Sequence, residues 1–107
     1  MSKKLLPLGS IVYLEEGTVP LAIIVVSSFV QKEETGEKLY YFDYAGTPYP
    51  QGLIDEEELY YFHHENISEV VFEGYKNEQH ERYLKSVEEW KEKNADAFEI
   101  AIIEQFR

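Results

Sequence analysis

The chain contains no cysteine, so it forms no disulfide and offers no thiolate to a metal. It also lacks an apolar run of membrane-spanning length: the stretch apolar at every position, Leu21 to Val26, is too short and too β-branched for a spanning helix. At the N-terminus, MSKKLLPLGS, Pro7 and Gly9 interrupt the Leu5-Leu6 pair before a signal-peptide core develops. The expectation is a cytoplasmic protein with no classical export signal. Basic residues are scarce, ten against twenty-one acidic, for a net charge of -11. Residues 1–54 hold four Lys against six acids, or -2, and residues 55–107 hold six basic against fifteen acidic, or -9. That field repels phosphate backbones and anionic lipid, which argues against nucleic acid and membrane as partners and favours a basic protein surface.

Chemistry-bearing patterns are equally sparse. His63-His64-Glu65, with His80 downstream, is the one cluster that suggests a metal. Adjacent residues on a strand face opposite ways, however, and no HxH or HExxH spacing is present, so no metal site is expected. Carboxylate pairs such as Asp43 with Asp55 to Glu58 are imaginable as acid and base. In a chain this acidic some pair always looks suitable, and neither a positioned nucleophile nor a Gly-rich phosphate loop accompanies them. Nothing implies a cofactor, and an enzyme is not expected.

What the chain does have is β-branched and aromatic residues in short runs. Its 107 residues suit one domain, residues 1–76 mainly β and 77–107 mainly helical and acidic. Ile11 to Leu14 and Leu21 to Val30 read as strands, the second covered on both faces and therefore central. Gln31 to Lys38 is a polar hairpin loop. Tyr40 to Tyr44 alternates, with Tyr40, Phe42 and Tyr44 on one face, which is expected to pack on the core. It runs into a rigid turn containing Gly46, Pro48, Tyr49, Pro50 and Gly52. The Tyr49-Pro50 bond can populate cis, though trans is the expectation. After the acidic patch Asp55 to Glu58, Leu59 to His63 and Glu69 to Tyr75 are the fourth and fifth strands. Asn77 caps a helix whose apolar stripe includes Tyr83, Leu84, Val87 and Trp90. Phe98 to Phe106 fits a helical face or a strand, with helix favoured. The fold class is α+β: a strongly curved antiparallel sheet of about five strands, closed or nearly closed and barrel-like, with the helix packed across it through Tyr83, Val87 and Trp90.

Nine Tyr and six Phe exceed what so small a core buries with every hydroxyl satisfied. Some tyrosines are therefore expected at a surface, where they anchor protein interfaces at low entropic cost. The alternative is that Tyr41, Tyr60 and Tyr61 are half-buried sheet residues with wet hydroxyls. Candidate partner-binding residues are Tyr44, Gly46, Pro48, Tyr49, Pro50, Gly52 and Tyr75.

The segments LLPLGSIVYLEEGTVPLAIIV, FDYAGTPYPQG and FHHENISEVVFEGY resemble three blocks of a small domain-of-unknown-function family of Gram-positive bacteria, over about residues 5 to 83. Members are typically encoded beside LXG toxins of the type VIIb secretion system. The resemblance implies a cytoplasmic, chaperone-like targeting factor or adaptor, and no enzyme. Such a factor binds the N-terminal LXG region of a toxin, in company with a small WXG-like helical partner, before export or co-export. An alternative is an immunity or regulatory protein that binds the toxin's effector domain. The chain departs from the family pattern at His63-His64, where Asn-His is usual, and its apolar tail lies outside the matched blocks.

Overall fold

The computed structural model describes residues 4–31, 39–53 and 59–100. Its strands are β1 (Ile11–Leu14), β2 (Leu21–Gln31), β3 (Leu39–Pro48), β4 (Tyr60–Phe62), β5 (Ile67–Phe72) and β6 (Phe98–Ile100), with one helix, α1 (Glu78–Lys93), before β6. The fold is α+β. The sheet runs in the order β4-β3-β2-β1-β5 with every neighbour antiparallel, and β6 adds to β3 in parallel. As the β-branched run of Leu21 to Val26 anticipates, β2 is central. A register shift between Ile23 and Val25 displaces Ile24, which stays exposed.

Curvature follows from chain length. β4 and β5 lie at opposite edges of the five-strand path, yet only residues 63–66 join them. Five Cα steps reach at most about 18 Å, whereas four strand spacings in a flat sheet cover about 19 Å. The sheet must therefore curl until its edges approach. It does not close, so the strongly curved sheet is as expected and, of the closed and nearly closed forms, the closed one is not adopted. The alternation of directions makes β4 and β5 parallel to one another, and parallel neighbours need a far longer crossover than this connector.

Inside the curl lie Val12, Leu21, Ile23, Val26, Tyr44 and Phe62, contributed by four strands, and Leu5, Leu6 and Leu84 pack onto them. Tyr40 and Phe42 form a second cluster with Val30 and Tyr61. The three aromatics expected to face the core are thus buried, but so are Tyr41 and Asp43 between them. β3 is covered on both faces.

One cover is the C-terminal half of α1 with β6. Trp90 meets Phe29 edge-on at 5.0 Å and stacks on Phe98 at 5.9 Å, while the Lys91 ammonium lies 4.0 Å over the Tyr41 ring. Residues 98–100 are strand, not helix, because Leu39–Tyr41 of β3 extends beyond the part of its edge taken by β4 and offers free backbone groups to Phe98–Ile100. The rest of the apolar tail, the 31–38 hairpin beyond Gln31, and Asp55 to Glu58 lie outside the described residues.

The helix start is as the sequence predicts, with the Asn77 side chain accepting from the amides of Gln79 and His80. Leu84 packs on the core, Val87 is half-buried, and the Tyr83 hydroxyl donates to the Val26 carbonyl at 2.7 Å. The long strand β3 carries Gly46, Thr47 and Pro48 in register with Ile23, Ala22 and Leu21, so the turn proper is residues 49–52. It is closed by the Gly52 amide on the Pro48 carbonyl at 2.8 Å, and the Tyr49-Pro50 bond inside it is cis, contrary to the trans expectation.

The LPLGS and VVFEGY segments interlock. Pro7 and Ser10 are fully buried, Gly9 takes a positive φ, and the Ser10 hydroxyl donates to the Pro7 carbonyl while accepting from the Gly74 amide at 3.0 Å. Gly74 passes so close that any Cβ would collide with the Leu8 carbonyl oxygen. Gly74→Ala should therefore destabilise the fold by roughly 2–4 kcal/mol, read as a fall in urea midpoint. A change below about 0.5 kcal/mol would show that this approach is loose.

Candidate protein-binding surface

Two adjacent side chains of β3 tie the connectors together. The Tyr44 hydroxyl accepts from the Leu6 amide at 2.9 Å and has its proton left for His64 Nδ1, 2.7 Å away. Asp43 Oδ2 accepts from the His64 amide at 2.9 Å. His63 stacks on Phe42 at 5.1 Å, and its Nδ1 stands 3.4 Å from the Asp43 amide nitrogen and 3.5 Å from Asp43 Oδ2. Both of those are long, so the short His64 bond fixes the carboxylate. The Asn66 side chain accepts from the His63 amide at 2.8 Å and finishes the connector.

This array is interior. Asp43 and His63 are both buried, and the Tyr41 hydroxyl reaches Ser27 Oγ at 3.4 Å. The paired histidines are divided between two tasks, as strand alternation requires: His63 enters the core and His64 turns to Tyr44. Among the described residues, no group of three or more His, Asp and Glu is placed to hold a metal ion. No described helix is long and apolar enough to cross a membrane.

Burial pushes both phenols well above their ordinary range. For Tyr41 the hydrogen bond from Ser27 opposes the shift and the Asp43 charge adds to it; for Tyr44 the Leu6 amide opposes it.

The candidate binding residues fall in different places. Tyr44 is completely buried and Gly46 is buried too, an added Cβ there lying 3.0 Å from the Ala22 carbonyl oxygen and 3.2 Å from the Phe62 ring. Both are therefore part of the framework in this structure and not exposed surface. Pro48 and Gly52 are half-buried, whereas Tyr49 and Pro50 project from the turn, Tyr49 at 51% exposure. The Tyr49 amide donates to the Pro20 carbonyl at 2.9 Å, anchoring its backbone and leaving its ring outside. Tyr75 is 82% exposed and lies elsewhere.

Of the exposed aromatics, Tyr60, Tyr75 and Tyr83 line apolar grooves and Tyr49 lies beside one. One groove, about 450 Å³, is lined by Leu14, Val19, Leu21, Pro48, Gln51 and Tyr60, with Tyr49 held beside it through Pro20. The other, about 430 Å³, lies between β2 and the first turns of α1 and is lined by Leu8, Ile24, Val26, Tyr75, His80 and Tyr83. Sequence reasoning missed Leu8, Val19 and Ile24. Leu8 and Val19 sit beside prolines in connectors, a weak hint of exposure, but the shift that expels Ile24 leaves no sequence signal.

Fold and site together define a small α+β scaffold with a buried polar clasp and two apolar grooves at its surface. Residues 5–83 match the family described as Domain of unknown function (DUF4176), and the chain belongs to that family. No curated protein and no solved structure matches it.

Two outcomes follow for the clasp. Tyr44→Phe should cost about 1–3 kcal/mol, because the buried Leu6 amide loses its acceptor, measurable by urea unfolding. For pH the sign is set by raised phenol values: the folded protein keeps protons that the unfolded chain releases, so stability is fully present below the ordinary tyrosine value of 10.0 and falls above it. The loss should approach about 1.4 kcal/mol per pH unit for each buried tyrosine, and Tyr41→Phe should make the decline shallower in unfolding curves taken from pH 8 to 11.

Proposed function

We propose that the protein is a non-catalytic, cytoplasmic adaptor that binds the N-terminal LXG region of a type VIIb secreted toxin, alongside a small WXG-like helical partner, and supports the toxin's export. The observation that carries this is the pair of apolar grooves, each rimmed by exposed tyrosine, on a chain of net charge -11. Apolar grooves of this kind accept amphipathic helices, whose side chains at i, i+3, i+4 and i+7 supply the anchors. Tyrosine adds contact area at low entropic cost. The acidic field of the second half steers a basic helix toward the surface. The resemblance of LPLGS, Tyr44 to Gly52 and Val70 to Tyr75 to the toxin-associated family supplies the identity of the helix.

A catalytic role draws no support from the polar residues. Asp43 and His63 are sealed in the interior, and the Asp43 carboxylate is held by the His64 amide. The Tyr44 hydroxyl is likewise engaged, by His64 Nδ1 and by the Leu6 amide.

Co-expression with the LXG segment of a toxin from the same genome should give a complex that survives size exclusion. Binding to the effector half instead of the LXG half would contradict the proposal. Within that complex, Tyr49→Ala and Tyr75→Ala should each weaken affinity about tenfold or more, with melting temperature changed by no more than about 3 °C. If either variant lowers melting temperature and leaves affinity intact, that tyrosine serves the fold.

A further inference from the structure

We propose that the outer edge of β5 is a second docking surface, which takes an extended, basic-flanked apolar segment of a partner protein as an added strand. None of its residues lines either groove, and the occupant is a strand where the grooves suit helices, so this surface stands independently of the LXG assignment.

Among the described strands β5 bonds only β1, which leaves its other row of backbone N–H and C=O groups facing outward. Val70, Val71 and Phe72 are 45%, 51% and 57% exposed. Three consecutive large apolar residues at that exposure mean that both faces of the strand, as well as its edge, meet solvent. Folded proteins usually protect such an edge with proline or lysine, and Ile67–Phe72 contains neither. The register shifts against β1 pass over Ser68 and Val71, so the regular ladder is short. An incoming strand must gain its affinity from the side chains as well as the backbone, and these side chains are apolar.

Charge selects the occupant. Glu69 and Glu73 bracket the apolar triplet, and the nearby Lys76 ammonium is already paired with Glu73. A second copy of this chain is a poor fit: antiparallel pairing about Val71 sets Glu69 against Glu73, and parallel pairing sets Glu69 against Glu69. A strand with Lys or Arg on either side of alternating apolar residues meets complementary charge at both ends.

The test uses the full chain and three labelled peptides: Lys-Lys-Val-Thr-Val-Thr-Val-Lys-Lys, the same core with Glu ends, and the Lys-ended version with proline at the central valine. Fluorescence anisotropy should show the Lys-ended peptide binding at least tenfold more tightly than the other two, with amide shifts in NMR spectra concentrated at residues 67–72. The exposed double variant Glu69→Lys/Glu73→Lys should reverse the preference in favour of the Glu-ended peptide without disturbing the fold, and Val71→Pro should abolish binding. Equal affinity for Lys-ended and Glu-ended peptides, no binding at millimolar peptide, shifts located away from β5, or retention of the original preference in the double variant would each overturn the proposal.

Discussion

The Tyr44 hydroxyl sits in the interior with no access to water and is satisfied by the Leu6 amide on one side and His64 on the other. Asp43, its neighbour, takes the His64 amide. Through these bonds β3 holds both the N-terminal segment and the β4–β5 connector. A buried donor or acceptor left unpaired costs about 1–3 kcal/mol, a large share of the stability of a small domain. The anchoring of the short connector between the sheet's edges and of the first residues under α1 depends on that pair of side chains.

With Tyr44, Gly46 and Ser10 committed to the framework, the most family-like segments do two jobs. Their interior residues fix one backbone against another: LPLGS against Gly74, and Asp43-Tyr44 against residues 6 and 64. Their remaining residues, Leu8, Tyr49 and Tyr75, are held at the surface by that framework. A rigid support for exposed aromatics reduces the ordering cost of binding, so preorganisation here is a property of the core.

Much of the fold was legible because it rests on local signals. Strand alternation, the β-branched run of β2 and the Asn77 cap each act over a few residues, and each element formed where they indicate. Openness of the sheet was not legible, because it depends on the direction of β4 relative to β5 and on the brevity of residues 63–66. The strand at Phe98–Ile100 depends on an unfilled stretch of β3 edge sixty residues away, which no periodicity within the tail can reveal. At the candidate site, the excess of tyrosine signals exposed rings, and Tyr49, Tyr60, Tyr75 and Tyr83 are exposed. Which tyrosines are exposed was decided by pairing: Tyr44 faces Val26 and Phe62 inside the curl, whereas Tyr49 lies one residue beyond the last strand pair.

On the function proposed, a buried clasp presents two apolar grooves to a helical partner. Hydrogen exchange of the full chain, with and without the LXG region proposed as its partner, is the deciding measurement. Added protection is expected at residues 48–53 and 75–83, with β3 residues 41–45 already protected and unchanged. Protection absent from both grooves, or a partner that alters exchange at residues 41–45 alone, would contradict it.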